Sequence, residues 1–503
     1  MQGLQATAVT IEVNATRGVR FVLVGLPDNA VKESHERILA AIENSGFTFP
    51  TRQITINLSP ADIRKEGSGY DLPMAIGILA TEDKVNTSQL GKYMMVGELS
   101  LDGSLVPIRG ALPVAIKARE MGFEGLFVPE GNIREAAVVN KLKVYGVKHI
   151  TQVVNHLNGT ALLEPTVVDT RGEFYARQYE FDYDFADVKG QEHVKRAMEV
   201  AAAGGHNIIM IGPPGSGKSM LAKRMPSILP PLSLQESLET TQIHSVAGTL
   251  PAGCSLMAQR PYRSPHHTIS QVALVGGGTN PQPGEISLAH NGILFLDELP
   301  EFQRSVLEVL RQPLEDRVIN VSRAKYSVTF PCSFMFVASM NPCPCGYYNH
   351  PTKACCCTPG QIVRYLNKIS GPLLDRIDLQ IELSPVPFSD LSKMEPGEPS
   401  EKIRERVIRV RKIQEERFRD YALIHSNAQM TEKMLGQYCV LDSQTTEVLR
   451  EAMIRLNLSA RAYSRILKVA RTIADLEGKE NIEFAHVAEA VGYRTLDRSS
   501  WGE

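Results

Sequence analysis

The spacing of apolar and polar residues divides the chain into alternating strands and helices, followed by a purely helical end. In the first 165 residues, runs such as 53–58 predict strands, and residues 31–44 and 112–121 have the spacing of amphipathic helices. The alternation returns at residue 187 with short, wholly apolar runs that predict buried strands. After a break rich in proline, glycine and serine (384–400), helices alone are predicted. We therefore expect an α/β protein with domains 1–165, 187–385 and 386–503 and a polar linker, 166–186.

Length and composition agree with this division and add few constraints. A chain of 503 residues exceeds what one hydrophobic core usually organises. With 43% hydrophobic residues, 22% charged residues and a net charge of −2, the composition is that of an ordinary soluble protein, and the net charge neither favours nor excludes nucleic acid. No apolar run approaches the roughly 20 residues of a membrane span, and the start lacks a secretory signal. We expect a cytoplasmic protein without membrane contact.

One motif carries the strongest chemical signal. An apolar strand (207–211) leads into a glycine-rich loop and then a helix (220–225). In such a loop, backbone N–H groups surround phosphate oxygens, the lysine reaches the β- and γ-phosphates, and the serine binds Mg²⁺. A chance glycine-rich turn would lack the flanking strand and helix. The predicted nucleotide-binding residues are Gly212, Pro213, Pro214, Gly215, Ser216, Gly217, Lys218 and Ser219.

Two further apolar strands end in polar residues that suit the same chemistry. Residues 292–296 are followed by Asp297 and Glu298, which would hold Mg²⁺ and polarise the attacking water, respectively. Residues 334–339 are followed by Asn341, which is placed to orient water near the γ-phosphate. Further on, Arg376 precedes another strand (379–383) and could act across a subunit interface as a finger that neutralises transition-state charge. The alternative for Arg376 is a salt bridge with Asp375 or Asp378.

Five of the eight cysteines lie in one short segment, which in a reducing compartment favours metal binding over disulfides. Cys343, Cys345, Cys355 and Cys357 form two Cys-x-Cys pairs that suit a tetrahedral, structural Zn²⁺. Cys356 or His350 could replace one of the four. The alternative is a reduced loop without metal.

Several longer runs make a family resemblance visible. The segments YRSPHHTIS (262–270), ALVGGG (273–278), PGEISLAHNG (283–292), NPCPCG (341–346) and LLDR (373–376) resemble the ComM/YifB family of magnesium-chelatase-like ATPases. The resemblance covers essentially the whole chain. It implies a Lon-protease-type, S5-like N-terminal domain, an AAA+ P-loop α/β domain and a C-terminal helical lid.

The resemblance also implies roles and partners. Glu298 would be the catalytic glutamate, Asn341 sensor 1, Arg376 the interface finger, and Arg461 sensor 2 of the lid. ATP and Mg²⁺ would be the cofactors, and the AAA+ modules would form ring hexamers. The family includes a DNA helicase that drives branch migration in natural transformation, so single-stranded or branched DNA and recombination proteins are the expected partners.

The resemblance further implies two segments that would face the pore of such a ring, an insert at about 245–290 and a hairpin at 317–330. Cationic side chains there could follow phosphates without reading sequence. The alternative is surface solvation or, for the histidines, a structural hydrogen bond. The candidate DNA contacts are Arg260, Arg263, His266, His267, Arg317, Arg323 and Lys325.

The first domain resembles the proteolytic domain of Lon through LVPIRG (105–110) and the residues that follow it. The catalytic dyad is not preserved, because the Lon lysine falls on Leu112 and Ser68 has no lysine to activate it. We expect a retained fold without peptidase activity. Family members usually carry another strand before residues 3–5, so we expect a truncated or misassigned start. A chelatase-type protein remodeller and, less well supported, a Lon-like ATP-dependent protease are the alternatives to a DNA motor.

Overall fold

A computed structural model describes residues 3–278, 281–323, 326–385, 396–421, 423–456 and 458–494, with the backbone alone for 322, 323 and 326. The chain forms two compact units. The first comprises Met1–Ala176 and Leu234–Met257, and the second comprises Arg177–Ser233 and Ala258–Glu503. Among the described residues, no helix has both the length and the apolar character that a membrane crossing requires.

The first unit is built on small sheets covered by helices. Its strands are β1 (Thr10–Thr16), β2 (Phe21–Val24), β3 (Gln53–Ser59), β4 (Tyr93–Met95), β5 (Glu98–Leu99), β6 (Leu105–Val106), β7 (Gly125–Pro129) and β8 (Lys143–Val147). One sheet has the order β1-β3-β2, another the order β4-β7-β8 with parallel strands, and β5 and β6 form a hairpin. In β3 every second residue is buried, so Ile54, Ile56 and Leu58 enter the core.

The helices of this part of the chain are α1 (Asn29–Asn44), α2 (Asp71–Ala80), α3 (Ala111–Glu120), α4 (Ile133–Ala136), α5 (Ile150–Asn158) and α6 (Thr170–Arg177). The predicted strands and helices are confirmed to within a few residues. Helix α6 lies inside the segment that the sequence predicts as a linker.

One helix of the first unit comes from a distant part of the sequence. It lies within residues 187–385, which the sequence predicts to be a separate domain. Helix α9 (Leu234–Ala247), which follows α7 (Glu192–Gly204) and α8 (Lys218–Arg224) in the chain, packs on α3. It buries a polar face, where the Ser245 hydroxyl donates to Glu135 at 2.6 Å and its carbonyl accepts from the Gly110 N–H. Because these buried groups are polar, hydrophobic spacing does not reveal this contact.

The second unit has a five-stranded parallel sheet of order β10-β13-β16-β9-β17. Its strands are β9 (Ile208–Ile211), β10 (Tyr262–Arg263), β13 (Ile293–Leu296), β16 (Met335–Met340) and β17 (Leu379–Glu382). Every residue of β9, β13 and β16 is buried, which explains their continuous apolar runs. Two short pairs complete the strands: β11 (Gly276–Gly277) with β12 (Gln282–Pro283), and β14 (Val318–Arg323) with β15 (Tyr326–Pro331).

The pairing of β14 with β15 confirms the predicted hairpin. The predicted insert needs a correction, because Tyr262 and Arg263 pair with β13 in the central sheet, so residues 245–290 are not one insertion.

The helices around this sheet are α7 (Glu192–Gly204), α8 (Lys218–Arg224), α10 (Gln271–Val275), α11 (Glu285–Leu288), α12 (Arg304–Glu308), α13 (Arg311–Asp316), α14 (Pro359–Leu366) and α15 (Gly371–Leu374). The C-terminal helices are α16 (Ser400–Arg417), α17 (Glu432–Tyr438), α18 (Ser443–Arg455), α19 (Ala460–Leu476) and α20 (Phe484–Gly492). They share one hydrophobic core with the sheet, in which Val407 and Ile473 lie in the same cluster as Met210. The C-terminal helices are therefore packed directly against the central sheet.

Candidate functional site

The glycine-rich loop turns sharply between β9 and α8. Gly215 and Gly217 have φ values of 80° and 88°, which side chains with a β-carbon rarely adopt. Helix α8 begins directly after Gly217, so its N-terminal N–H groups lie beside the loop. The arrangement is that of a phosphate-binding loop.

Lys218 connects this loop to the end of β16. Its Nζ donates to the carbonyls of Gly212 at 2.7 Å and Pro213 at 3.0 Å, and to Asn341 Oδ1 at 3.3 Å. Burial lowers the pKa of Lys218, although the carboxylates of Asp297 and Glu298 oppose this shift. The structure therefore brings Lys218, Asn341, Asp297 and Glu298 together in one site, as the sequence predicts.

Ser219 and Asp297 lie in direct contact, and their oxygen atoms could bind Mg²⁺. The Ser219 hydroxyl donates to Asp297 Oδ2 at 2.5 Å, and the other carboxylate oxygen accepts from Ser339. Oxygen ligands of this kind suit Mg²⁺. Sequence analysis missed Ser339, because it lies inside the apolar run of β16 and is fully buried.

Glu298 begins the turn after β13 with a φ of 54°. Its carboxylate is 56% exposed, and Oε2 lies 3.7 Å from Nδ1 of His267. The His267 ring lies 4.0 Å from that of His266. Glu298 is thus accessible at the same sheet edge as the phosphate-binding loop, as a water-polarising base requires.

The cysteine segment gathers four thiols. The Sγ atoms of Cys343, Cys345, Cys355 and Cys357 all lie within 4.8 Å of one another. The distance is 3.3 Å from Cys343 to Cys345, 3.7 Å from Cys343 to Cys355, and 3.5 Å from Cys345 to Cys355. Tetrahedral zinc with Zn–S bonds of about 2.3 Å places sulfur atoms roughly 3.8 Å apart, so these residues could hold the ion.

The two alternative ligands lie elsewhere. Cys356 is exposed, and His350 Nδ1 accepts from the backbone N–H groups of Thr352 and Lys353. The backbone N–H of Tyr348 points at Cys343 Sγ, at 3.3 Å.

The cysteine segment also touches the phosphate-binding loop. Gly346 has a φ of 84°, and a β-carbon on it would lie 2.6 Å from Pro214 Cδ. Cys343 lies two residues after Asn341, which contacts Lys218. The cysteine segment therefore lies in direct contact with the phosphate-binding loop.

Arg376 engages neither of the carboxylates that flank it in sequence. One guanidinium nitrogen lies 2.5 Å from Glu315 Oε1, and another donates to the Pro372 carbonyl at 2.5 Å. Asp375 instead accepts from Arg461 at 3.0 Å, and Asp378 accepts from Arg465 at 2.9 Å. Neither alternative pairing of Arg376 occurs in this structure. Glu315 and Arg465 were missed, since both are remote in sequence from their partners.

Two of the candidate DNA contacts, Arg260 and Arg263, are hydrogen-bonded to other groups of the protein. Arg260 donates to the carbonyls of Pro230, Pro231 and Asn291. Arg263 forms a bidentate pair with Glu285, with N–O distances of 2.6 and 2.7 Å.

Arg317 donates to the Phe334 carbonyl at 2.7 Å, and burial lowers its pKa. His266 is exposed. The Arg323 side chain and all of Lys325 lie outside the described residues.

The fold and this edge of the sheet define a P-loop ATPase of the AAA+ class. Three family models match along the chain: "Magnesium chelatase, subunit ChlI" at residues 184–391, "Subunit ChlI of Mg-chelatase" at 11–132, and "Magnesium chelatase, subunit ChlI C-terminal" at 397–494.

Full-length relatives agree with these models. The chain is 44% identical to competence protein ComM of Haemophilus influenzae, over 99% of this chain and 96% of the relative. It is also 44% identical to the uncharacterized protein YifB of Escherichia coli, over the same shares of each chain. The chain belongs to the ComM/YifB family of magnesium-chelatase-like AAA+ ATPases, which confirms the resemblance drawn from its motifs.

A partial similarity to Lon proteases concerns a smaller part of the chain. Lon protease 2 of Bacillus subtilis is 31% identical over 157 residues, which is 28% of this chain and 27% of the relative. In the structure, Leu112 is fully buried and Ser68 donates to the carboxylate of Glu98. The nearby Lys65 is fully buried, and its Nζ donates to the Pro60 carbonyl.

Proposed function

We propose that this ATPase is a motor that acts on DNA as a homo-hexameric ring, and that it promotes branch migration during DNA uptake or recombination. The observation that carries the proposal is the β14–β15 hairpin, whose six residue pairs run from Val318 and Pro331 to Arg323 and Tyr326. In the sequence, the cationic residues Arg323 and Lys325 stand where β14 is followed by β15, and cationic side chains can track a phosphate backbone. The name of the relative ComM, a competence protein, fits a role in DNA uptake.

ATP hydrolysis would use the residues gathered at the sheet edge. Lys218 would exchange its carbonyl partners for the β- and γ-phosphates, and Ser219 and Asp297 would hold Mg²⁺, which neutralises charge on the phosphates. Glu298 would accept the proton of the attacking water, and Asn341 would orient that water. Arg461 would join from the lid as sensor 2.

Arg376 would complete the site of a neighbouring subunit. In its own subunit, its guanidinium binds Glu315 and Pro372, not the phosphate-binding loop. A finger supplied by a second subunit makes activity depend on assembly. We therefore expect an isolated monomer to hydrolyse ATP poorly.

The four cysteines would bind a structural Zn²⁺ with no open position. Their Sγ distances, and the close approach of the neighbouring Gly346 to Pro214 and Asn341, support a role in bracing the nucleotide site. The metal would be a part of the fold and not of the reaction.

Two alternatives share the ATP chemistry. A chelatase-type ring would remodel a partner protein, and the family models carry the name of magnesium chelatase. The Lon-like first domain and the cysteine segment favour the DNA motor. A Lon-like protease is disfavoured because Ser68 contacts a carboxylate, and Leu112 occupies the lysine position of the dyad.

The deciding experiment follows branch migration on a fluorescent Holliday junction with the wild type, Lys218→Ala and Glu298→Gln. We expect ATP-dependent migration by the wild type alone. A wild type that hydrolyses ATP yet neither binds nor remodels the junction at moderate salt would refute the DNA motor. Cleavage of casein that is abolished by Ser68→Ala would instead establish a protease.

A second comparison localises the contact. Arg323→Ala/Lys325→Ala should weaken DNA binding. It should also reduce the slope of log K against log salt concentration by the equivalent of up to about two phosphate contacts. The matched control is Arg409→Ala/Lys412→Ala, which removes two exposed cations of α16. Equal losses in the two double variants would contradict a contact at the hairpin.

A further inference from the structure

The segment that carries Arg376 is held by one helix of the lid. Arg461 and Arg465 lie four residues apart on α19, so they face the same side of that helix. Arg461 donates to Asp375 at 3.0 Å, and Arg465 donates to Asp378 at 2.9 Å. The two arginines of the lid thus form ion pairs with Asp375 and Asp378, which flank Arg376 in the sequence.

The two pairs differ in burial. The Asp378 side chain is 1% exposed and that of Arg465 is 22% exposed, whereas Arg461 is 69% exposed and Asp375 28% exposed. A buried carboxylate that loses its cation is left without compensation, while an exposed pair contributes little. The contact of Arg465 is therefore the one whose loss should cost more.

Asp378 is also bonded to the beginning of β9. Its Oδ2 accepts from the Asn207 backbone N–H at 3.0 Å and lies 3.4 Å from His206 Nδ1. The Asn207 side chain in turn donates to the Arg376 carbonyl at 2.9 Å. Burial alone would raise the pKa of Asp378, but Arg465 and His206 bring it below its ordinary value. The backbone of Arg376 is thus fixed between the central sheet and the lid.

From these contacts we infer that Arg465 is a positioning residue: through Asp378 it couples the lid helix to the Arg376 segment, so that the lid of one subunit sets the finger that serves its neighbour. This inference rests on the proposed composite site. It assigns to Arg465 a function at the nucleotide site of the neighbouring subunit.

The test uses rings that contain two kinds of subunit, co-expressed with two different tags and purified on both. Subunits with Lys218→Ala have no working loop but keep an intact finger. Subunits with Arg465→Gln keep an intact loop. If Arg465 acts through the finger, the intact fingers serve the intact loops, and ATP turnover should rise at least fivefold above either homogeneous ring. Restored turnover would also prove that the Arg465→Gln subunits are folded.

A mixture of Arg376→Ala with Lys218→Ala serves as the control for the composite site itself. Restoration in the control without restoration for Arg465→Gln would overturn the positioning role and leave the trans finger intact. Failure of the control to restore turnover, or to form mixed rings, would overturn the composite site, and the inference with it.

A second readout separates positioning from a general structural effect. In the Arg376→Ala background, Arg465→Gln should lower kcat by less than twofold, because the residue through which it acts is already absent. In the wild-type background the same change should lower kcat at least tenfold and alter KM for ATP by less than threefold. Arg465→Lys, which keeps the charge, should recover part of that loss. Equal losses in both backgrounds would contradict the inference.

Discussion

Gly346 of the cysteine segment lies so close to Pro214 of the phosphate-binding loop that a β-carbon on Gly346 would be 2.6 Å from Pro214 Cδ. At 84°, the φ of Gly346 also lies in the region that favours glycine. These two constraints tie the geometry of the cysteine segment to that of the nucleotide site.

Substitution of Gly346 is therefore expected to act on nucleotide binding. Gly346→Ala should introduce about 1–3 kcal/mol of strain. Because the new methyl group would clash with Pro214, the phosphate-binding loop should shift, and KM for ATP should rise several-fold. The measurement is ATP affinity by calorimetry alongside steady-state kinetics. The control is Gly360→Ala, because a β-carbon on that exposed glycine meets no atom within 4 Å. Unchanged ATP affinity in Gly346→Ala would contradict the coupling.

Glu298 and Lys218 should separate hydrolysis from binding. Glu298→Gln removes the base without removing a phosphate contact, so kcat should fall by about 10²–10⁴ while ATP is still bound. Lys218→Ala should lose ATP binding itself, because Lys218 is the cation of the loop. Fluorescent-nucleotide titration and phosphate release measure the two quantities. Full turnover in Glu298→Gln would assign the base to another residue.

Purified protein should contain about one zinc per chain. Cys345→Ser should release the metal and lower the melting temperature, because a structural zinc site contributes directly to folding. Cys356→Ser is the matched control, since Cys356 is exposed and stands outside the group of four thiols. Atomic emission and thermal melts provide the measurement. Equal zinc loss in both variants, or zinc far below one equivalent in the wild type, would refute the site.

Lys468 should make stability depend on pH. Burial, assisted by Arg465, lowers the pKa of Lys468 to about 8, whereas in the unfolded chain it lies near 10.4. Between these values the unfolded state holds more protons, so stability should rise as pH increases from about 8 to 10.4. Below pH 8 the cost of burying the cation is fully present.

Lys468→Met should accordingly raise the melting temperature at pH 7 and reduce its increase above pH 8. Lys412→Met, which replaces an exposed lysine of α16, should leave both unchanged. A melting temperature that falls between pH 8 and 10 in the wild type, but not in Lys468→Met, would reverse the sign and contradict the prediction.

Much of the nucleotide site could be predicted because its residues follow directly on apolar strands. Parallel strands bring their carboxyl ends to one edge of the sheet, so Lys218, Asp297 and Asn341 had to lie near one another once β9, β13 and β16 were recognised. The cysteine group was predictable for a similar reason, because its two pairs are close in sequence. The choice of Cys357 over Cys356 was open until the direction of each side chain was known.

Other features depend on partners that no local pattern connects. Ser339 is a polar residue within an apolar run, and its hydroxyl can donate a hydrogen bond to Asp297 only when β13 and β16 pair. The polar face of α9 defines no hydrophobic period, so nothing in the sequence assigns that helix to the first unit.

The sequence by itself determined that the chain binds nucleotide and belongs to this family, because both rest on contiguous motifs whose chemistry is local. The tertiary structure decided which residues contact Arg376 and the carboxylates beside it. Glu315 lies 61 residues before Arg376, and Arg465 lies 87 residues after Asp378, so only folding brings these charges together. Ion pairs depend on distance in space and on burial, neither of which the spacing of residues along a chain specifies.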